Sequence, residues 1–209
     1  QNSQSASATS NVSSALFTTR LTINPLSATP SSPELTAFTS DGFTLTTRDG
    51  SSANTTLYMA MKLATGISAK LLTCASPTAT GAHSCTGAGF TPQSGIMLHT
   101  TAPAVDTFYS TSGNPEIYGL SAFTGSAAYS ATIVDDDGVA TSDTESITDS
   151  KPVRIRKDTA DWMTATSTGA QADGWNFDYT VTDGTARQRA VLFFKADQTT
   201  ARRRPVFFP

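Results

Sequence analysis

Residues 175–184 read Trp-Asn-Phe-Asp-Tyr-Thr-Val-Thr-Asp-Gly. Large apolar side chains alternate with polar ones in this stretch, which is typical of a β-strand with one buried face. The Asp-Gly pair at its end is a turn signal, and another apolar run follows. We therefore predict strands over 174–181 and 189–195, joined as a hairpin. The side chains predicted to face the core are Trp175, Phe177 and Tyr179.

The same pattern occurs earlier in the chain, as an internal repeat. Residues 21–43 match residues 153–175 at a constant offset of 132, and after two inserted residues Asp49-Gly50 matches Asp183-Gly184. The second copy has a long segment, from about Ile67 to Thr132, for which the first copy has no counterpart. We expect the first copy to be completed by an upstream segment, by the second lobe or by another subunit.

Composition favours strands over helices. Charged residues make up only 15% of the chain, and long runs of helix-forming residues are absent. The net charge of -3 provides no positive field that would attract nucleic acid or an anionic membrane. Apolar runs such as residues 191–194 are too short to span a bilayer. We predict neither nucleic acid nor membrane as a partner.

Short apolar runs separated by turn signals predict an all-β fold, an antiparallel β-sandwich of the jelly-roll or concanavalin-like type. We expect one complete copy and a partial second copy. Further strands are predicted over 15–19, 21–24, 35–38, 42–47, 55–63, 67–73, 95–99, 106–110, 116–121, 127–134 and 152–157. The predicted units are a partial sandwich repeat completed by other strands (1–63), a linker with a cysteine loop (64–85), a β-sandwich domain (86–196) and a C-terminal docking arm (197–209).

Cys74 and Cys85 flank ten residues that are small or turn-forming. A loop of this kind is well suited to closure by a disulfide, which stabilises by about 3 kcal/mol in the chain-entropy model. We predict a disulfide between them, and the alternative is a pair of buried free thiols.

The dense acidic run Asp135-Asp136-Asp137-Gly138 is a weak candidate for a calcium site, because hard cations bind carboxylate oxygens. It does not fit an EF-hand loop, since the first and twelfth ligand positions would be Ile133 and Thr144. A solvated acidic turn explains the run more simply. We predict no metal and no other cofactor.

Catalytic residues are not predicted, and we expect the chain not to be an enzyme. His83 and His99 are not accompanied by a Gly-x-Ser-x-Gly nucleophile motif. Glu116 and Glu145 would be the carboxylates for glycoside hydrolysis, but no aromatic-rich groove segment accompanies them.

Two other features indicate binding. Trp162 lies in a polar stretch and is a candidate for contact with a surface glycan. The C-terminal tail combines three guanidinium groups with two aromatic rings, a composition that suits docking to a protein partner. Its candidate docking residues are Arg202, Arg203, Arg204, Phe207 and Phe208, and a disordered terminus is the alternative.

Several short motifs occur in a suggestive order: Gly89-Phe90-Thr91-Pro92, the segment of Gly119 and Phe123, the acidic run, and Asp173-Gly174-Trp175. This order resembles a β-sandwich domain of structural proteins in tailed phages, which opens with Gly-Phe-x-Pro and closes with an Asp-Gly-Phe-x-Leu hairpin. The resemblance covers residues 86–196 and, in its second half only, residues 8–63.

The resemblance implies a non-enzymatic structural protein on the virion exterior, in a capsid decoration, head fibre or tail component. Its partners would be other virion proteins and copies of itself. The alternatives are a glycan- or receptor-binding module of a fibre, and an extracellular filament subunit that is not viral.

Overall fold

A computed structural model describes residues 14–15, 33–40, 42–47, 63–105, 108–109, 115–125, 127–136, 144–157 and 160–196. These residues form β-strands joined by turns and loops, and no helix among them is long and apolar enough to cross a membrane. The strands are β1 (Ser14–Ala15), β2 (Pro33–Phe38), β3 (Phe43–Thr47), β4 (Ile67–Ala75), β5 (Gly81–Thr86), β6 (Ser94–His99), β7 (Phe108–Tyr109), β8 (Pro115–Thr124), β9 (Ala127–Asp136), β10 (Thr144–Asp149), β11 (Val153–Lys157), β12 (Ala160–Gln171), β13 (Gly174–Val181) and β14 (Gln188–Ala196).

Two antiparallel sheets pack together as a β-sandwich. One has six strands in the order β10-β9-β8-β6-β14-β4, and the other has four in the order β11-β12-β13-β5. Two smaller sheets pair β1 with β7 and β2 with β3. The predicted all-β sandwich is confirmed.

The core lies between the two large sheets. Trp175 and Phe177 of β13 are 0% and 2% exposed, which confirms the alternation predicted for this strand. Phe123 of β8 contacts both across the core, with ring centroids 4.9 Å from Trp175 and 5.5 Å from Phe177. Gly95 makes room for this cluster, because a Cβ there would lie 2.5 Å from the Phe123 ring. The sheets therefore meet through aromatic side chains that fill the available space.

A disulfide joins Cys74 of β4 to Cys85 of β5, with the two Cα atoms 5.7 Å apart. This confirms the predicted pairing. β4 is the last strand of the six-stranded sheet and β5 the last strand of the four-stranded sheet, so the bond links the two sheets at one edge of the sandwich. Cys85 is 2% exposed and belongs to the core.

The predicted linker over 64–85 needs correction. β4 pairs with β14 along nine residues and β5 pairs with β13 along six, so both strands are parts of the sandwich. The small residues between them form the corner at which the chain passes from one sheet to the other. The sandwich therefore includes residues from Ile67 onward and does not begin at residue 86.

The predicted hairpin around Asp183-Gly184 is wrong. β13 pairs with β12 and β5, whereas β14 pairs with β4 and β6 in the other sheet. The Asp183 carboxylate accepts hydrogen bonds from the Thr185 amide and the Arg187 side chain, and these bonds hold an inter-sheet corner. The tight hairpin is instead formed by β12 and β13, whose connection contains Asp173.

The internal repeat is present in the strand register. β2 and β3 pair Pro33 with Thr47, Leu35 with Leu45 and Phe38 with Phe43. Adding the sequence offset of 132 to each number gives the pairs of β12 and β13, Ala165 with Tyr179, Ser167 with Phe177 and Ala170 with Trp175. Even the β-bulge recurs, between Leu35 and Ala37 in one hairpin and between Ser167 and Gly169 in the other. The two hairpins are therefore copies of one structural unit.

Some strand predictions differ from the structure or lie outside it. β5, β10 and β12 were not predicted as strands, because their sequences are rich in Ser, Thr, Ala and Gly and show little apolar alternation. The strand predicted over 21–24 lies outside the described residues, as do the strands predicted over 15–19 and 55–63 except for Ala15 and Leu63.

Removing the inter-sheet disulfide should destabilise the fold. We expect the double substitution Cys74→Ser and Cys85→Ser to lower the free energy of unfolding by about 2–4 kcal/mol, because the unfolded chain regains conformational entropy. Urea denaturation of both proteins would measure this difference. Reductant should destabilise the parent protein and leave the double variant unchanged; equal midpoints for the oxidised and reduced parent would contradict the prediction.

Candidate functional site

The acidic residues Glu116, Asp135 and Asp136 lie where β8 begins and β9 ends. Glu116 and Asp135 are paired across these strands and are both 0% exposed. The Thr101 hydroxyl donates a hydrogen bond to Glu116 Oε2 at 2.5 Å, and Lys157 Nζ lies 3.3 Å from Asp136 Oδ2. Part of this acidic charge is thus stabilised inside the fold, by a hydroxyl hydrogen bond on Glu116 and by an ion pair on Asp136.

The described residues hold no group of three side chains suited to a metal ion, and Asp137 lies outside them. The predicted solvated turn is also incorrect for the part that is described, since Asp135 and Asp136 are buried. Burial and the charge of Glu116 raise the pKa of the neighbouring Tyr118 to about 12. The Tyr118 hydroxyl therefore stays protonated above the pH at which an exposed tyrosine ionises.

Trp162 is not a free surface residue. Its ring packs against the core, and the Arg187 guanidinium lies 5.3 Å from the ring centroid. Arg187 is itself held by Asp183, with Nε 2.9 Å from Oδ2, and donates to the Thr101 carbonyl at 2.9 Å. The cation covers one face of this partly buried ring, and the glycan contact at Trp162 stays a prediction.

A second arginine lies inside the core. Arg189 is 3% exposed, hydrogen-bonds the Tyr179 hydroxyl and the Met163 sulfur, and lies 5.4 Å from the centroid of the Tyr179 ring. His99, paired with Arg189 in the strand register, is 0% exposed and its Nε2 lies 3.1 Å from Ser121 Oγ. Burial, followed by the charge of Arg189, lowers the pKa of His99 to about 3. His99 is therefore a neutral core residue.

His83 lies at a corner between two strands, and Glu145 lines a small recess. His83 Nε2 lies 2.9 Å from the Ala75 carbonyl oxygen, across the corner that the disulfide closes. Glu145 lines a recess of about 210 Å³ that is formed by residues of β9, β10 and β11. That volume is below the roughly 300 Å³ at which ligand pockets usually begin. The residues lining the recess are Thr132, Val134, Glu145, Ser146, Ile147 and Arg156.

The most distinctive feature is the edge of β3 that faces away from β2. In the second copy, β13 receives β5 along this edge, and Gly174 lies so close to β5 that a Cβ would be 1.9 Å from the Cys85 carbonyl oxygen. The equivalent glycine, Gly42, has no described atom closer to its Cβ position than Thr39 Oγ1 at 3.6 Å. Among the described residues, β3 pairs with β2 alone. The repeat thus retains a glycine whose role in the second copy is to admit another strand.

The opening and closing motifs of the second copy are in direct contact. The Asp173 carboxylate accepts hydrogen bonds from the amides of Gly87 at 3.1 Å and Gly89 at 2.5 Å, and the Thr91 hydroxyl donates to the Ala172 carbonyl at 3.4 Å. Asp41 is the counterpart of Asp173 in the sequence and lies outside the described residues.

The structure leaves the docking arm untested, because Arg202, Arg203, Arg204, Phe207 and Phe208 lie outside the described residues. Sequence reasoning missed Arg187 and Arg189 as organising residues, since their spacing resembles that of solvated strand residues. A signal was nevertheless present: both follow Asp183-Gly184, and Arg189 falls on the same strand face as Val191 and Phe193.

Comparison with protein-family models, curated proteins and solved structures finds no match to this chain.

The buried histidine should make stability depend on pH. Between about pH 6.5 and pH 3 the unfolded chain binds a proton at residue 99 and the folded protein does not. The free energy of unfolding should therefore fall by about 1.4 kcal/mol for each pH unit of acidification attributable to this residue.

Urea denaturation between pH 4 and pH 7 would measure the slope, and His99→Gln should be less pH-dependent by about this amount. His99→Asn should lose the same part of the slope, because it also lacks a titratable side chain at residue 99. A His99→Gln variant with the parent slope would show that residue 99 does not supply this pH dependence.

Proposed function

We propose that the chain is a non-enzymatic structural protein on the exterior of a phage virion, in a capsid decoration, head fibre or tail component, and that it acts by packing against neighbouring subunits. The observation that supports this most is the half-copy formed by β2 and β3, which has the register of β12 and β13 but, among the described residues, no strand in the place that β5 takes beside β13.

Strand addition at β3 is the packing step that we propose. A strand edge presents unpaired backbone amides and carbonyls, and another strand satisfies them. Gly42 favours this use of the edge, because its counterpart Gly174 accepts the close approach of the Cys85 carbonyl. Leu35 and Phe38 of the same hairpin are 42% and 81% exposed, so a partner would also cover apolar surface.

The virion location is supported by the order of the Gly89-Phe90-Thr91-Pro92 and Asp173-Gly174-Trp175 motifs, which resembles the tailed-phage domain. The hydrogen bonds from Gly87 and Gly89 to Asp173 give these motifs a shared structural role in closing one end of the sandwich. A glycan-binding role receives less support, because Arg187 occupies the face of Trp162. A filament subunit that is not viral would use the same edge of β3. The two alternatives differ in the kind of particle that carries the chain.

Immunogold labelling and mass spectrometry of particles purified from the native source test the location. We expect the chain on the outside of heads or tails. Labelling confined to bare filaments would favour the filament alternative and overturn the virion assignment.

Strand addition is tested with a synthetic peptide of residues 81–90 in which Cys85 is replaced by serine. We expect this peptide to bind the full chain, and Gly42→Ala to weaken binding at least about tenfold, because a Cβ would occupy the space needed by the incoming backbone. Calorimetry or fluorescence anisotropy would measure the affinity, and a peptide of scrambled sequence controls for general stickiness.

Gly174→Ala is the matched variant in the completed copy. It should lower the free energy of unfolding by about 1–3 kcal/mol, because its Cβ meets backbone that is already in place. Gly42→Ala should change stability by no more than about 0.5 kcal/mol. Binding that is unaffected by Gly42→Ala would contradict strand addition at β3.

A further inference from the structure

The six-stranded sheet has an apolar face turned away from the core, here called the outer face. Side chains alternate along each strand, so the residues between the core positions of β4, β6, β8, β9 and β14 belong to this face. Its largest exposed members are Leu71 (63%), Leu98 (42%), Leu120 (56%), Tyr129 (71%) and Ile133 (41%). Exposed apolar side chains that are scattered singly are ordinary, whereas a contiguous patch indicates an interaction site.

The strand register makes these residues contiguous. One row across five strands consists of Leu71, Leu192, Ile96, Ala122 and Tyr129. The neighbouring row consists of Thr73, Ala190, Leu98, Leu120 and Ala131. Every residue in both rows is apolar except Thr73, and none is charged. The outer face is therefore a continuous apolar surface.

Among the described residues, charge is also absent from the rest of the face where it is open to solvent. The acidic residues that share its alternation, Glu116 and Asp135, are 0% exposed. On β10, the residue in register with Ile133 is Ser146, which is uncharged. A charged partner would find no counter-charge on this face, whereas a second uncharged surface would meet it without repulsion or buried unpaired charge.

We propose that the outer face binds the outer face of a second copy of this chain, related by a two-fold axis. A two-fold interface requires a surface that is complementary to itself, and an uncharged apolar sheet meets this requirement. Two sheets packed in this way lie about 10 Å apart with their strands inclined by about 30°. The dimer would thus repeat, between chains, the sheet packing found inside the sandwich.

The available area is sufficient for a reversible dimer. Six strands about 4.8 Å apart give a width of about 24 Å, and seven residues at about 3.3 Å give a length of about 23 Å. Each copy would contribute about 550 Å², so the interface would bury about 1,100 Å² in total, near the lower limit of specific interfaces. We therefore expect dissociation constants in the micromolar range. This inference uses a different surface from β3 and does not rest on the proposed function.

Sedimentation velocity of the full chain between about 1 and 100 µM tests the proposal. We expect the parent protein to pass from monomer to dimer in this range, with a mass twice that of the chain at the upper end. Leu120→Arg should raise the dissociation constant about 100-fold or more, because dimerisation would bury an unpaired charge. Leu71→Glu, on a different strand of the same face, should act in the same direction.

Thr180→Arg is the control, since Thr180 is an exposed strand residue of the other sheet. It should dimerise like the parent. Circular dichroism and urea denaturation should show that all variants are folded, because the replaced side chains are exposed. A parent protein that remains monomeric at 100 µM, or a dimer that survives both outer-face substitutions, would overturn the proposal. A monomeric parent destabilised by Leu120→Arg would indicate that a segment of the same chain covers the face.

Discussion

The aromatic face of β13 has to be removed from water, and the rest of the sandwich is arranged to do this. Trp175, Phe177 and Tyr179 are all at most 2% exposed, and Phe123 reaches across from the opposite sheet to contact the first two. Aromatic side chains of this size bury about 150–250 Å² each, and their combined transfer free energy is comparable with the stability of a whole domain. Gly95 is part of the same constraint, because a side chain there would displace Phe123.

The two sheets are also joined at their margins, by a disulfide at one place and by a buried arginine at another. The disulfide between Cys74 and Cys85 joins the two sheets at an edge. Near the corner after β13, Arg187 bridges the Asp183 carboxylate and the Thr101 carbonyl while covering Trp162. A buried cation of this kind is tolerated only with its partners in place, so the corner and the ring it covers are defined together.

The alternation in 175–181 predicted a strand and its buried face correctly, because period-two burial leaves a direct mark on sequence. The disulfide followed from local spacing. What failed was the assignment of strands to sheets: an Asp-Gly pair is equally suitable for a hairpin and for an inter-sheet corner, and only the pairing of β14 with β4 and β6 distinguishes them. The surroundings of Trp162 could not be predicted, because its polar neighbours do not reveal that Arg187, 25 positions later in the sequence, lies over its ring. The repeat itself was visible in the sequence, whereas the register and the bulge that its two hairpins share follow only from the strand pairing.

Because the hairpin occurs twice, the role of a residue within its own hairpin can be distinguished from its role toward a neighbouring strand. Positions in β2 and β3 that reproduce the bulge serve the hairpin itself, since the same bulge occurs in β12 and β13. Gly42 is different: the nearest described atom to its Cβ position is Thr39 Oγ1 at 3.6 Å, whereas a Cβ on the counterpart Gly174 would be 1.9 Å from the Cys85 carbonyl oxygen. The close approach of β5 to Gly174 is the reason why we propose that a strand approaches Gly42 in the same way.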